Sequence, residues 1–165
     1  MKEFTFNSEL WLPRPLQEIF PFFAAAQNLQ TITPPWLKFE VLTPVPILMR
    51  PGTLIDYRIT VHGLPIRWRT EITDWTPPRQ FVDVQLTGPY TLWHHTHLFE
   101  EKDGGTLCSD HVRYRPRGGA LVHWLFVRRD VEKIFDYRRQ RLQELFCAKA
   151  GEVLAAEPAA PGFPR

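Results

Sequence analysis

Several features that would identify a function directly are scarce in this sequence. Its 165 residues include only two cysteines, Cys108 and Cys147, which form no disulfide framework and fit a reducing cytoplasm. The formal net charge of +2 is too small to indicate nucleic-acid binding. No apolar run approaches the ~20 residues of a membrane span, and the N-terminus lacks a signal-peptide core. We therefore expect a cytoplasmic protein with no nucleic-acid partner and no stable membrane insertion.

Motifs for nucleophilic catalysis and phosphate binding are also missing. The chain contains no Gly-x-Ser-x-Gly elbow and no Gly-x-x-x-x-Gly-Lys loop. The pairs Gly104-Gly105 and Gly118-Gly119 are typical of a turn and a helix entry. Cys108 is interpreted as a small core residue.

Hydrophobic and aromatic residues are abundant, by contrast. They make up 44% and 13% of the sequence, which excludes disorder for most of the chain. The length suits a single domain with a substantial core. We expect this domain to cover residues 1–150, and residues 151–165 to form an Ala/Pro-rich flexible tail.

The order of periodic segments predicts an α+β fold. Alternation predicts seven strands and helical spacing predicts three helices. The strands cover residues 2–12, 37–42, 54–61, 66–75, 81–86, 90–101 and 106–115, and the helices residues 15–23, 24–29 and 120–148. Short links require antiparallel pairing, and the long helix must cover the apolar face of the sheet. A twisted sheet that curls around one narrow helix predicts a cavity between them.

Four local segments carry a family resemblance. They are Thr33-Pro34-Pro35, Gly52-Thr53-Leu54-Ile55-Asp56-Tyr57, Gly88-Pro89-Tyr90 with Trp93, His95 and Phe99, and Ile134-Phe135-Asp136-Tyr137-Arg138. These segments and the element order resemble the START-like (SRPBCC) helix-grip superfamily, which includes birch pollen allergen, polyketide cyclases/dehydrases and lipid-transfer domains. The resemblance implies a seven-stranded curved antiparallel sheet wrapped around a long C-terminal helix, with two short helices between strands 1 and 2. It also implies a hydrophobic cavity that the long helix partly gates.

Three histidines lie within four positions of the sixth predicted strand. Side chains alternate across a strand. One face carries Trp93, His95, His97 and Phe99, and the other carries Leu92, His94, Thr96 and Leu98. We expect the bulkier face to point inward and His94 to face water, although a register error of one residue would reverse the assignment.

The same alternation brings further polar residues to the interior. Tyr57 and Trp68 fall on inward faces of their strands, whereas Arg67 and Arg69 fall on the solvated face. Residues 81–86 are ambiguous, because the resemblance favours Asp83 and its face inward while apolar content favours the reverse. The expected polar cluster comprises Asp83, Gln85, His95, His97, Asp110 and Tyr114.

Three interpretations of this cluster remain open. The histidines and aspartates could form structural hydrogen bonds that fix strand register, orient a ligand in an apolar pocket, or perform acid/base chemistry on a carbonyl compound. A metal site would need Asp83 or Asp110 beside His95 and His97, which is a weak pattern. We predict no metal and no cofactor.

The long helix carries an apolar stripe and one arginine of interest. The stripe comprises Leu121, Trp124, Val131, Ile134, Phe135, Leu142, Leu145 and Phe146. Arg138 lies on the stripe side, where its head could reach a carboxylate or water, or serve as counter-ion for an acidic ligand. Residues 120–127 are apolar nearly all round. We expect them to pack under the loop of residues 43–52; an exposed patch for a membrane or partner is the alternative.

The sequence therefore predicts a domain that binds a small hydrophobic molecule with a polar end. The alternatives are a cyclase/dehydrase-type enzyme that uses the His/Asp cluster, and a non-catalytic partner protein of another enzyme. The predicted binding residues are Tyr57, Trp68, Asp83, Gln85, Tyr90, Trp93, His95, His97, Asp110, Tyr114, Trp124 and Arg138. Catalytic residues and oligomeric state are left open.

Overall fold

A computed structural model describes residues 2–152, with side chains to residue 147. The expected tail at residues 151–165 lies outside the described residues except for its first two positions. These two positions are helical, because the last helix ends at Glu152. Within the described residues, no helix combines the length and apolar character needed to cross a lipid bilayer.

Strand β1 (Phe4–Leu12) is followed by helix α1 (Leu16–Ala24), which begins after Pro15. Two 3₁₀ turns, at Ala26–Gln30 and Pro35–Leu37, lead to a two-residue strand β2 (Glu40–Val41). The second predicted strand is thus shorter than expected. Its first residue, Leu37, belongs to a helical turn because Pro35 stands at the first position of that turn.

The remaining strands form a continuous antiparallel series. Their bounds are β3 (Leu54–Val61), β4 (Leu64–Thr76), β5 (Gln80–Thr87), β6 (Tyr90–Lys102) and β7 (Gly105–Pro116). The sheet order is β1-β7-β6-β5-β4-β3-β2. A seven-stranded antiparallel sheet around a long C-terminal helix confirms the predicted helix-grip architecture.

Tight turns set the register that positions the inner face. Asp103 and Gly104, which join β6 to β7, have φ values of 50° and 75°. Such a turn matches the right-handed twist of the two strands. It places His97 opposite Asp110 and His95 opposite Val112. The histidines and the carboxylate of β7 therefore share one face of the sheet.

A bulge in β4 breaks the simple alternation that the sequence suggests. Ile72 pairs with Asp83 and Trp75 pairs with Phe81, with a register shift between Ile72 and Asp74. The extra residue turns Trp75 to the same inner face as Ile72. Trp75 can therefore pack against Phe20 of α1, with ring centroids 5.4 Å apart.

The C-terminal helix is interrupted, which corrects the expectation of one regular helix over residues 120–148. It consists of α2 (Gly119–Val122), a π-helical turn (His123–Val127) and α3 (Arg128–Glu152). The π turn directs His123 inward, where its ring stacks on Phe4 with centroids 3.5 Å apart. Because His123 takes the inward position, Trp124 points outward and is 73% exposed.

The expectation that residues 120–127 pack under the loop of residues 43–52 is wrong. That loop precedes β3, whereas the segment lies beside the β3–β4 turn at the other end of β3. The ring of Phe126 lies 6.2 Å from that of His62 in this turn. Leu121 is accordingly 68% exposed. Farther along, Val131, Phe135 and Leu142 are buried as the stripe predicts.

Candidate functional site

A cavity of about 930 Å³ lies between the inner face of the sheet and the C-terminal helix. Its lining is mainly apolar and aromatic, with a few polar groups, as is typical of small-molecule sites. Apolar side chains from the short helical turns, the strands and the helix meet there. They include Leu29, Trp36, Phe39, Met49, Ile55, Ile59, Ile72, Val122, Val127 and Ile134.

Aromatic rings from β4 and β6 form one wall of the cavity. The Trp68 and Trp93 rings meet edge-to-face with centroids 5.4 Å apart. Tyr90 lies 4.8 Å from Trp93 and 5.7 Å from Trp68. Cross-strand pairing places Tyr57 beside Trp68. Tilted and edge-to-face contacts are favourable for aromatic rings, so this wall is well defined by its own packing.

Two histidines and two aspartates form a compact cluster on β5, β6 and β7. Nε2 of His95 donates to Oδ1 of Asp110 at 2.8 Å, and Nε2 of His97 donates to Oδ2 of Asp83 at 2.9 Å. Nδ1 of His95 lies 3.6 Å from Asp83, and Nδ1 of His97 lies 3.2 Å from Asp110. Although that last distance is short, Nδ1 of His97 makes no hydrogen bond of good geometry.

The two imidazoles lie in a stack of rings. The His95 and His97 centroids are 3.7 Å apart, and Phe81 lies 4.1 Å beyond His97. Phe135 of α3 covers His95 at 5.7 Å. Both histidines are about 95% buried as a result. The low local dielectric strengthens the attraction between their charges and the carboxylates.

Burial and neighbouring charges shift the pKa values of the two histidines in opposite directions. For His95, burial and the neighbouring His97 lower the imidazole pKa despite the hydrogen bond to Asp110. For His97, burial also disfavours the charge, but Asp110 and Asp83 together raise the imidazole pKa. Burial opposes ionisation of both aspartates as well, yet the histidines hold the pKa of Asp83 and Asp110 below its usual range. Protonation is therefore more favourable at His97 than at His95, and the histidines favour the charged form of both carboxylates.

Arg138 of α3 completes the charge balance. Its guanidinium stacks over the Phe135 ring at 5.1 Å, and Nη1 lies 3.9 Å from Oδ1 of Asp110. The side chain is only 13% exposed. Two of its buried nitrogens, Nε and Nη1, have no hydrogen-bond partner among the described residues. The two carboxylates are thus balanced by the imidazoles and by the Arg138 cation, but Arg138 retains unused donors.

One set of metal-ligand residue types occurs in the part of the chain that the structure describes. Donor atoms of Asp83, His95 and His97 lie within 4.8 Å of one another. The Nε2 atoms of both histidines are already bound to carboxylates, however, and the Arg138 cation lies beside Asp110. This environment suits an ion-pair network better than a divalent cation, so the prediction of no metal is kept.

Eight of the twelve residues predicted to bind ligand line the cavity. They are Tyr57, Trp68, Asp83, Tyr90, Trp93, His95, His97 and Arg138. In β5, Asp83 points into the cavity, as the family resemblance predicted for residues 81–86. The larger number of apolar residues on the other face of this strand had favoured the opposite orientation. His94 is on the opposite face and is partly exposed.

The other four predicted residues have different positions. Asp110 does not itself line this cavity but lies behind three residues that do, His95, His97 and Arg138. The Gln85 amide bonds both backbone groups of Tyr90, and Gly88 leaves room for it because an added Cβ would lie 2.5 Å from its Oε1. Tyr114 is buried and bonded to His123. Trp124 faces solvent, since the π turn rotates it away from the sheet.

Several lining residues were missed by the sequence reading. Trp36 and Leu37 come from the turn after Thr33-Pro34-Pro35, and Phe39 and Met49 flank the short strand β2. These residues lie outside long strands and helices, so no regular alternation in the sequence indicates which of them point inward. The only signal in the sequence was the density of large apolar residues around a proline-rich break.

Comparisons with known proteins agree with this architecture. Ms6760 from Mycobacterium smegmatis is 20% identical with a TM-score of 0.65, covering 88% of this chain and 92% of its own. Ara h 8.0201 is 18% identical with a TM-score of 0.61, at 87% and 99% coverage. The Zhui aromatase/cyclase from Streptomyces sp. R1128 is 14% identical with a TM-score of 0.70, at 90% and 96% coverage. Identities this low establish the fold alone.

The sequence itself assigns the family. No curated protein matches the chain. A family described as polyketide cyclase / dehydrase and lipid transport matches residues 12–143, which include every strand of the cavity wall and most of α3. The chain therefore belongs to the polyketide cyclase / dehydrase and lipid transport family.

Proposed function

We propose that the protein binds a small hydrophobic molecule whose polar end accepts hydrogen bonds from Arg138, with residues 1–150 as the binding unit. The observation that carries the proposal is a large apolar cavity in which the cationic Arg138 has unused donors. The cavity volume is at the upper end of the usual range for ligand sites. Because both cysteines are free, we place this function in the cytoplasm.

The unused donors define the polar end of the ligand. A buried donor without a partner is costly, and a guanidinium offers paired N–H groups that suit a carboxylate. Asp83 and His97 are already paired and contribute a fixed polar surface next to Arg138. A carboxylate or carbonyl oxygen placed there would satisfy Arg138, while the apolar part of the ligand contacts Trp68 and Trp93.

Displacement of a solvatochromic dye tests this proposal. A medium-chain fatty acid and the alcohol of equal length are compared as competitors. In Arg138→Met, affinity for the acid should fall at least about tenfold, and affinity for the alcohol much less, because only the acid loses an ionic partner. Trp68→Ala should weaken both competitors. Arg139→Met is the matched control, since Arg139 is exposed and contacts Ser8.

Three results would argue against this proposal: no dye binding by the folded protein, equal losses for acid and alcohol in Arg138→Met, or unchanged affinity in Trp68→Ala. Native mass spectrometry of protein purified from its own host provides an independent check, because a bound molecule would travel with it.

Acid/base catalysis is the second candidate function. It is favoured by two adjacent imidazoles on the cavity wall whose pKa values shift in opposite directions. A neutral His95 could accept a proton while a protonated His97 donates one. Exchange of the α-protons of a bound ketone in D2O, followed by NMR, would detect this chemistry. Exchange that persists in His95→Gln, or no exchange with the wild-type protein, would leave ligand binding as the function.

A further inference from the structure

Five large apolar side chains lie exposed at one end of the molecule. They are Leu64, Leu121, Trp124, Leu125 and Phe126, which are 68%, 68%, 73%, 49% and 54% exposed. We call this set the rim patch. Leu64 begins β4 directly after the β3–β4 turn, and the contact of Phe126 with His62 brings the helical part beside that turn. Contiguous apolar surface of this kind marks a site of interaction.

The rim patch lies at one end of the cavity. Phe126 belongs to the patch and also lines the cavity. The lining at this end includes His62, Gly63, Arg117 and Val122 as well, and Gly63, Arg117 and Phe126 are exposed. A surface that covers the patch would therefore also cover this end of the cavity.

The unpaired charge beside the rim patch is positive. Between His111 and Arg129 the chain has five arginines and no aspartate or glutamate. Arg113 and Arg115 pair with Glu3, Arg128 pairs with Glu132, and the carboxylate of Asp130 pairs with His62. Arg117 and Arg129 are exposed and form no ion pair within the described region. Exposed tryptophan and phenylalanine flanked by arginine are typical of segments that lie in the headgroup region of a membrane.

We propose that the rim patch docks the protein on an anionic lipid bilayer, with Leu121, Trp124 and Phe126 in the headgroup boundary and Arg117 and Arg129 on lipid phosphates. The charge pattern selects this occupant over a second copy of the chain. A symmetric dimer through the patch would bring its arginines near those of the partner, whereas an anionic surface complements them. Docking does not depend on what the cavity binds.

Vesicle co-sedimentation of the full chain tests the proposal. Wild-type protein should bind vesicles of phosphatidylcholine with phosphatidylglycerol, and bind pure phosphatidylcholine vesicles much more weakly. Arg117→Glu/Arg129→Glu should lose more than about tenfold in binding, since each basic residue near an anionic surface is worth about fivefold. The matched control Arg79→Glu/Lys102→Glu makes the same charge change at the turns on the opposite end of the sheet and should keep wild-type binding.

The apolar contribution is tested separately. Leu121→Ser/Trp124→Ser should bind several-fold more weakly, whereas Trp11→Ser, which changes an exposed tryptophan at the opposite end, should not. In wild-type protein, anionic vesicles should slow amide hydrogen exchange across residues 119–129. The proposal is overturned if wild-type protein binds no vesicles, if the rim and control variants bind equally, or if the patch variants instead abolish self-association measured by light scattering.

Discussion

The interior of the protein is packed at one end and contains a cavity at the other. At the packed end, α1 lies across the sheet, and Phe20 contacts Trp75 and Phe99 with centroids 5.4 Å away in each case. At the cavity end, Trp68 and Trp93 contact each other, and the cavity separates them from the C-terminal helix. Similar aromatic residues thus form a packed core where α1 covers them and a cavity wall where it does not.

The His/Asp cluster marks the boundary between these two ends. Phe81 touches Phe20 on the packed side and stacks on His97 on the other. The cluster is nearly charge-balanced, so it can be buried there without an unpaired ion. The polar groups therefore form the floor of the cavity, where the packed core stops.

The largest expected effect is on the free energy of unfolding, which should fall more for a substitution at the packed end than for one at the cavity end. Phe99→Ala removes a 4%-exposed ring from contact with Phe20, Phe23 and Phe81, and should cost about 3–5 kcal/mol. Trp68→Ala should cost less than about 2 kcal/mol, because part of its ring faces the cavity and leaves fewer contacts to lose. Denaturant unfolding measures both. Equal costs would show that the cavity closes up in solution.

The next largest effect concerns the His/Asp cluster at the boundary between the two ends. His95→Ala leaves Asp110 without its hydrogen-bond donor and should cost about 1–3 kcal/mol. His94→Ala, on the opposite face of β6, should cost less than about 0.5 kcal/mol. Thermal melts and NMR titration of the two imidazoles would decide. A larger cost for His94 would mean that the register of β6 is shifted by one residue.

A smaller effect concerns pH. The pKa of His97 is raised in the folded protein, with Asp83, Asp110, His95 and Arg138 facing it. The contribution of His97 to stability is therefore complete when pH is below its pKa in the unfolded chain, near 6.5. That contribution is lost as pH rises through its pKa in the folded protein. The advantage of the wild type over His97→Gln should be larger at pH 6 than at pH 9, by about 1 kcal/mol. A constant difference would mean that His97 is neutral throughout.

The last prediction is that the protein binds no metal. Elemental analysis should find no stoichiometric metal, because Nε2 of His95 and Nε2 of His97 are each held by a carboxylate and the Arg138 cation lies beside Asp110. Bound zinc at about one equivalent that disappears in His95→Ala/His97→Ala would reverse this prediction and make the boundary a metal centre.

Sequence alternation was enough to predict the sheet and the inner face of β6. His95 and His97 are both buried, and each pairs with an aspartate of the expected polar cluster. Turn chemistry at Asp103-Gly104 fixed that register. The fold and the floor of the site were therefore predictable because they depend on local periodicity and short hairpins.

Other parts depend on departures from regular geometry. The π turn places His123 inward and Trp124 outward, whereas a helix of constant period puts Trp124 on the buried apolar stripe. The bulge in β4 likewise turns Trp75 inward. The cavity lining from residues 36–49 comes from segments without a period. Such features follow from tertiary packing and leave little trace in one sequence.

The pairing of β1 with β7 has a consequence for how the chain folds. Phe4 pairs with Tyr114, so 110 positions separate partners on adjacent strands. β1 leaves the ribosome first but has no sheet neighbour until β7 has been made. Contacts of such long sequence separation slow folding and leave a strand edge exposed in the meantime. In β1, Thr5, Asn7 and Glu9 lie on the face opposite Phe4, Phe6 and Leu10, and charged or polar side chains of this kind discourage pairing with a wrong strand edge before β7 is made.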